Sequence, residues 1–194
     1  MSDPDDVTLL DQWRAGDAKA GQALFRRHFD AVYGFFENKV STGAEDLTQS
    51  TFLACLQARD QFRNDSSFRT YLFTIARHQL YRLLSARKRD QEKLDFDMSS
   101  IAELVTTPGT KLARNEEHRR LIEALQQLPV EQQVLLELHY WQGLEIPQLA
   151  EVFDAQDGTI RVRLHRARKA LEERIERTTP VDDWMRSFKS DLAS

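Results

Sequence analysis

Apolar residues recur at helical spacing through most of the chain. Leu24, Phe25, Phe29, Val32 and Phe36 mark one stripe. Leu47, Thr51 and Leu56, with Phe52 and Leu53 beside them, mark a second. This second helix is predicted to start near Gly43 with Glu45 and Asp46 in its first turn, where carboxylates suit the positive end of the helix dipole. A polar run of turn-forming residues, Arg63 to Ser67, interrupts the pattern. Phe68, Leu72, Ile75, Gln79 and Leu83 then predict a long helix reaching about Arg89.

From Asp90 to Ala113 the periodicity is lost. Ser99-Ser100 and Thr106-Thr107-Pro108-Gly109 read as a flexible linker, with a short helical piece near Ile101 to Val105. Helical spacing resumes at Leu121, Ile122, Leu125 and Leu128 and stops at Pro129. Val130, Val134, Leu135, Leu138 and Trp141 carry a second helix that stops at Gly143. Ile146, Leu149, Ala150 and Phe153 carry a short third helix with Pro147 in its first turn, where proline is tolerated. After Asp154-Ala155-Gln156, a fourth follows on Ile160, Leu164, Ala167 and Leu171. The expectation is an all-α chain: an N-terminal segment 1–20, a helical domain 21–90, a linker 91–113, a second helical domain 114–178 and an extension 179–194.

Length and composition agree with that plan. The 194 residues suffice for two small domains. Seven glycines and five prolines against 30% charged residues favour helices with solvated faces. The single cysteine, Cys55, excludes an intramolecular disulfide or a thiolate zinc site and reads as buried filler in a reducing, cytoplasmic setting. Residues 1–8 are acidic and do not read as a signal peptide. No stretch approaches the roughly 20 apolar residues of a membrane span. The pattern contains no metal-ligand cluster, phosphate-cradling glycine loop or nucleophile–base set, so neither cofactor nor catalysis is expected.

The short third helix, tight turn and fourth helix make a helix-turn-helix pattern, which puts its second helix in the DNA major groove. Projected at about 100° per residue, Ile160, Leu164, Ala167 and Leu171 share one side. Val162, His165, Arg166 and Lys169 share the other, flanked by Arg161, Arg163 and Arg168. Arginine can bridge guanine O6 and N7, any of these cations can meet phosphate, and Val162 suits a thymine methyl. Thr159, near the helix start, stands where its hydroxyl and free backbone N–H groups can hold a phosphate. The net charge of −4 is unusual for a DNA binder, but only the contacting face has to attract phosphate.

The run from Leu125 to Leu135, Gly143-Leu144, Leu149-Ala150 and the run from Gly158 to Arg168 resemble region 4 of extracytoplasmic-function sigma factors. That resemblance implies binding of the upstream (−35) promoter element through Thr159, Arg161, Val162, Arg163, His165, Arg166 and Lys169, and contact with the polymerase β flap. The family usually has a small polar residue where Val162 stands, and glycine and proline where Asp154 and Gln156 stand.

Leu24 to Arg89 resembles region 2 of the same family: Val32-Tyr33, Ala44 to Gln49 with Phe52, Phe62-Arg63, Ser66 to Leu72 and Ile75-Ala76-Arg77. The implied roles are two. Glu45, Asp46, Gln49 and Ser50 would grip the coiled coil of the β′ subunit of RNA polymerase core, with Ser50 standing where the family often has glutamate. A regulatory phosphate at Ser50 or Thr51 would restore that charge. Arg63, Asn64, Asp65, Ser66, Ser67, Arg77, His78 and Arg82 would hold the unpaired downstream (−10) element. His78 and Arg82 replace the family's asparagine and aspartate. Cationic grooves with aromatic platforms hold single strands, yet Phe68 and Phe73 lie at core spacing and read mainly as core. Promoter DNA, polymerase core and an anti-sigma regulator are the expected partners, without membrane insertion. The rival reading is a one-component regulator that binds duplex operators as a dimer. In the extension, Val181, Trp184, Met185 and Phe188 form an amphipathic stripe, expected to pack back on the protein or to bind a regulator.

Overall fold

The computed structural model describes residues 4–58, 67–94 and 116–178. They form eight helices: α1 (Asp6–Arg14), α2 (Ala18–Glu37), α3 (Ala44–Gln57), α4 (Phe68–Leu94), α5 (Glu116–Gln126), α6 (Val130–Tyr140), α7 (Ile146–Phe153) and α8 (Asp157–Thr178). The all-α expectation holds for these residues. The polar run 63–66, the segment 95–115 and the extension 179–194, with its apolar stripe, lie outside them.

Helices α1 to α4 make the N-terminal unit. Phe35 and Phe36 of α2 and Leu72, Phe73 and Leu80 of α4 are wholly buried at its centre. Three details differ from the periodic reading. Residues 6–14 form a helix rather than an undefined leading segment, and its Leu9, Leu10 and Trp13 are buried against α2. A nine-residue helix has little intrinsic stability; this one is held by its packing and by Asp5, whose Oδ1 accepts the Thr8 N–H at 2.8 Å. The buried face of α3 is Thr48, Thr51, Phe52 and Cys55, while Leu53 and Leu56 point outward. Helix α4 continues to Leu94, past the expected stop near Arg89.

The Trp13 ring lies directly on α2. A Cβ on Gly21 would stand 2.5 Å from Trp13 Cδ1. Alanine would gain about 1 kcal/mol of helix propensity, but overpacking costs about 1–3 kcal/mol and the contact is far inside van der Waals range. Gly21→Ala is therefore expected to lower the melting temperature by several degrees in a thermal unfolding experiment.

His28 joins α1 to α2 beneath Phe68. Its Nε2 is 2.7 Å from Asp6 Oδ2 and its ring centroid 5.5 Å from that of Phe68. Burial pushes the imidazole below its ordinary range, outweighing the opposing pull of the Asp6 carboxylate. The unfolded chain then takes up this proton more readily than the folded one, so stability falls as pH drops through about 6.5. Melting between pH 7.5 and 5.5 should show a larger loss for the wild-type protein than for His28→Gln.

Helices α5 to α8 make the C-terminal unit. Leu135, Leu138, Leu149, Ile160, Leu164 and Leu171 close its core. The α5–α6 turn is fastened from inside: buried Gln133 donates through Nε2 to the carbonyls of Leu128 (2.8 Å) and Gln126 (3.1 Å). These are carbonyls that the end of α5 leaves without helical partners. Helix α7 opens with the Glu145 N–H donating to Gln148 Oε1 at 2.8 Å. It ends at Asp154, which takes the left-handed conformation (φ 48°, ψ 57°). Aspartate tolerates this region better than most residues with a Cβ.

The two units are in contact. Helix α4 packs along α7. Arg77 stacks on Phe153 (4.7 Å to the ring centroid) and its Nη1 donates to the Val152 carbonyl at 3.4 Å. Arg69 Nη2 donates to Gln142 Oε1 at 2.8 Å, and Gln126 Nε2 to the Asn38 carbonyl at 3.2 Å. At the centre of the seam, fully buried Lys39 pairs with buried Glu137 of α6, donates to the Phe35 carbonyl at 2.9 Å and sits over the Phe35 ring. Burial pushes the Lys39 ammonium down and the Glu137 carboxyl up, and each charge opposes the other's shift. A cavity of about 290 Å³ remains in the seam beside them, lined in part by Gly34, Leu125 and Trp141.

Candidate nucleic-acid interface

Helix α8 presents two distinct sides. Ile160, Leu164, Ala167 and Leu171 are buried against α5, α6 and α7. Thr159, Arg161, Val162, His165, Arg166 and Lys169 are exposed. Val162, His165, Arg166 and Lys169 follow i, i+3, i+4, i+7 spacing and so line one strip of surface. Val162 is 50% exposed, a cost for an apolar residue unless something covers it. Arg163 is placed apart: its Nη1 donates to Glu131 Oε1 of α6 at 2.8 Å. The structure thus turns six of the seven −35 candidates outward together and ties the seventh to its own unit.

The N-terminal candidates divide between two faces of α4. His78, Arg82, Ser85 and Arg89 are exposed at i, i+4, i+7, i+11 and line an open groove of about 890 Å³ against Leu47 of α3. Such a cationic groove is what a phosphate backbone requires. Arg89 and Ser85 extend the candidate set; their spacing from His78 was the available signal. Arg77 faces the other way. Its guanidinium lies between Tyr81 (4.8 Å to the ring centroid) and Phe153, within the seam. Phe68 and Phe73 are buried, so they offer no platform for a base. Ser67 starts α4 by accepting the Thr70 N–H at 3.1 Å. Arg63, Asn64, Asp65 and Ser66 lie outside the described residues.

Helix α3 carries the third candidate surface. Its N-cap, Gly43, has φ 87°, a left-handed turn into the helix that a Cβ would disfavour. Glu45 and Asp46 occupy the first turn. Asp46, Gln49, Ser50 and Leu53 share one outer strip by spacing; Gln49, Ser50 and Leu53 are exposed, Leu53 by 56%, with Leu56 (44%) beside them. Periodicity marks the two leucines as part of a helix without saying which face the protein covers. Their outward position makes the α3 surface apolar at its middle and acidic at its start. Thr51 is wholly buried and its hydroxyl donates to the Leu47 carbonyl at 2.8 Å, which removes it as a site of phosphorylation and leaves Ser50. Cys55 is buried, and its thiol is pushed up to about 12 by burial, so it is an inert packing residue.

Among the described residues no group of histidine, cysteine and carboxylate side chains could hold a metal ion, and no helix is long and apolar enough to cross a membrane.

Comparison with known proteins matches both units to family models. Residues 24–90 match the model "Sigma-70 region 2" and residues 118–171 match "Sigma-70, region 4". Among full-length relatives, an ECF RNA polymerase sigma-E factor of Haemophilus influenzae is 28% identical over 180 residues, spanning 88% of this chain and 95% of that protein. The ECF RNA polymerase sigma-E factor of Escherichia coli K12 is 29% identical, with 88% and 94% covered. Two solved structures share the fold. CnrH in complex with the cytosolic domain of CnrY has a TM-score of 0.65 at 23% identity, covering 90% of this chain and 99% of that one. RpoE of Bartonella quintana, in complex with the anti-sigma factor NepR, has a TM-score of 0.67 at 24% identity, covering 80% and 96%.

Proposed function

Since the chain belongs to the sigma-70 family, as an extracytoplasmic-function type with regions 2 and 4, and is an alternative RNA polymerase sigma factor, we propose how its surfaces divide the work. Region 2 docks on the polymerase β′ coiled coil through the α3 strip: Glu45, Asp46, Gln49 and Ser50, extended by Leu53 and Leu56. The same unit holds the opened −10 strand along the cationic face of α4, through His78, Arg82 and Arg89 together with the loop residues Arg63 to Ser67. Region 4 lays α8 in the major groove of the −35 element, where Arg161, Val162, His165 and Arg166 meet base edges. Thr159 and Lys169 meet phosphates. The protein works in the cytoplasm with core polymerase, and an anti-sigma regulator controls it.

The observation that carries this reading is the two-sidedness of α8. Ile160, Leu164, Ala167 and Leu171 are consumed by the core of region 4, and the opposite strip pairs exposed cations with an exposed valine. A solvated helix face has no use for Val162, whereas a major groove offers thymine methyl groups to it. In vitro transcription with purified core polymerase on a library of genomic fragments tests the proposal. Start sites preceded by two shared sequence elements are expected. A pattern of starts identical to that of core alone would refute it.

A further inference from the structure

Two apolar features are not used by the promoter and polymerase surfaces. One is the cavity of about 290 Å³ bounded by α2, α5 and α6. The other is the stripe Val181, Trp184, Met185 and Phe188 in the extension, which lies outside the described residues.

The cavity has an apolar wall. Ala31 and Gly34 of α2, Ile122 and Leu125 of α5, and Trp141 line it. A cavity of about 150 Å³ takes a benzene ring, so this one has room for an indole. Trp141 is 41% exposed and Ile122 half-buried, which leaves apolar surface to be covered. Gly34 gives a separate sign. It stands inside α2, where alanine is the better helix former. A Cβ there would meet nothing within 4 Å, so no neighbour among the described residues requires glycine. A side chain entering the cavity from outside α1 to α8 would.

Helix α8 leads the chain to this place. It packs on α5, and Ile175 in its last turn is buried. Helix α5 has 11 residues and is about 16 Å long. The six residues from Thr178 to Trp184 reach about 20 Å when extended, more than the length of α5. At helical spacing the four apolar residues of the stripe share one side, and Asp182, Asp183, Arg186 and Lys189 take the other. One side can therefore be covered while the charges stay in water. Asp30, an exposed carboxylate at the cavity rim, suits the cations Arg186 and Lys189. The exposed leucines of α3 are a poorer match, because α3 packs on α2 and α4, whereas α5 borders both the cavity and α8.

We infer that residues 181–188 fold back as a short amphipathic helix and seat Trp184 in the cavity between α2, α5 and α6. The inference goes beyond the promoter reading and does not rest on it, since neither polymerase nor DNA enters its test. Full-length protein with the photoreactive residue p-benzoylphenylalanine in place of Trp184 is irradiated, and the crosslinks are mapped by mass spectrometry. They are expected on residues 30–38, 122–126 or 141–142, within single chains. Gly34→Leu fills the cavity from α2 with a better helix former and should lower the crosslink yield at least ~5-fold; circular dichroism and melting verify that this variant folds. Acrylamide quenching of tryptophan emission is the second measurement. Trp13 is buried, so removal of residues 179–194 should raise the quenching constant of the remaining emission by uncovering Trp141. A constant that falls instead would mean that Trp184 stands in water in the intact chain. Crosslinks on other helices or between two chains, a yield that Gly34→Leu leaves unchanged, or a quenching constant that stays level or falls would each overturn the inference.

Discussion

Replacing Arg161 and Arg166 together by alanine is expected to abolish transcription from promoters that depend on their −35 element. Both side chains project from the exposed strip of α8, and neither belongs to the core of region 4. A bidentate arginine–guanine contact is worth roughly one to two decades of discrimination. Losing two, on a helix supported by few other cations, lowers promoter affinity by about 30-fold or more. Arg163→Ala supplies the contrast. Its guanidinium is engaged by Glu131 on α6, so it should change promoter affinity less than ~3-fold. Binding of reconstituted holoenzyme to a promoter fragment at two salt concentrations measures both effects. The double variant should also show a shallower salt dependence, because phosphate contacts are lost with base contacts. Equal losses from all three arginines would mean that α8 acts as a diffuse cationic surface.

The second large effect is expected on α3. Leu53→Asp places a carboxylate at the middle of the outer strip, where an apolar side chain 56% exposed now stands. If that leucine is covered by polymerase, the change removes roughly 1.5–3 kcal/mol of apolar burial and forces a charge out of water. Association with core should fall by about 10- to 100-fold, measured by fluorescence anisotropy of labelled protein titrated with core. The side chain points away from Thr48, Thr51, Phe52 and Cys55, which hold α3 in place, so melting should be unchanged. Loss of affinity accompanied by loss of helicity would assign Leu53 to folding and not to docking.

These two surfaces show what the sequence could and could not disclose. The sides of α8 were legible because Ile160, Leu164, Ala167 and Leu171 recur at strict helical spacing and the opposite strip, Val162 apart, is polar. On α3 the same method found the helix but could not place Leu53 and Leu56, because periodicity records that a residue is apolar but not whether the protein itself covers it. Helix α1 was missed for a different reason: nine residues with three core contacts carry too weak a pattern, and the helix exists through packing on α2. The seam between units was invisible. Asn38, Lys39, Gln126, Glu137 and Gln142 are polar residues outside the apolar stripes, and only their positions in three dimensions reveal Lys39 and Glu137 as buried. The motif that resembles a DNA-contacting segment gave no sign that Arg77 also stacks on Phe153 in the seam. Gln133 is a smaller instance: a glutamine in a polar run gave no hint that its amide closes the α5–α6 turn.

Footprinting of the reconstituted holoenzyme on one of its promoters tests the central claim most directly. Two protected stretches are expected, one near −35 and one near −10, with the upstream one lost in the Arg161→Ala, Arg166→Ala variant and unpaired bases in the downstream one. Protection of a single duplex site with two half-sites, equally strong without polymerase, would contradict it.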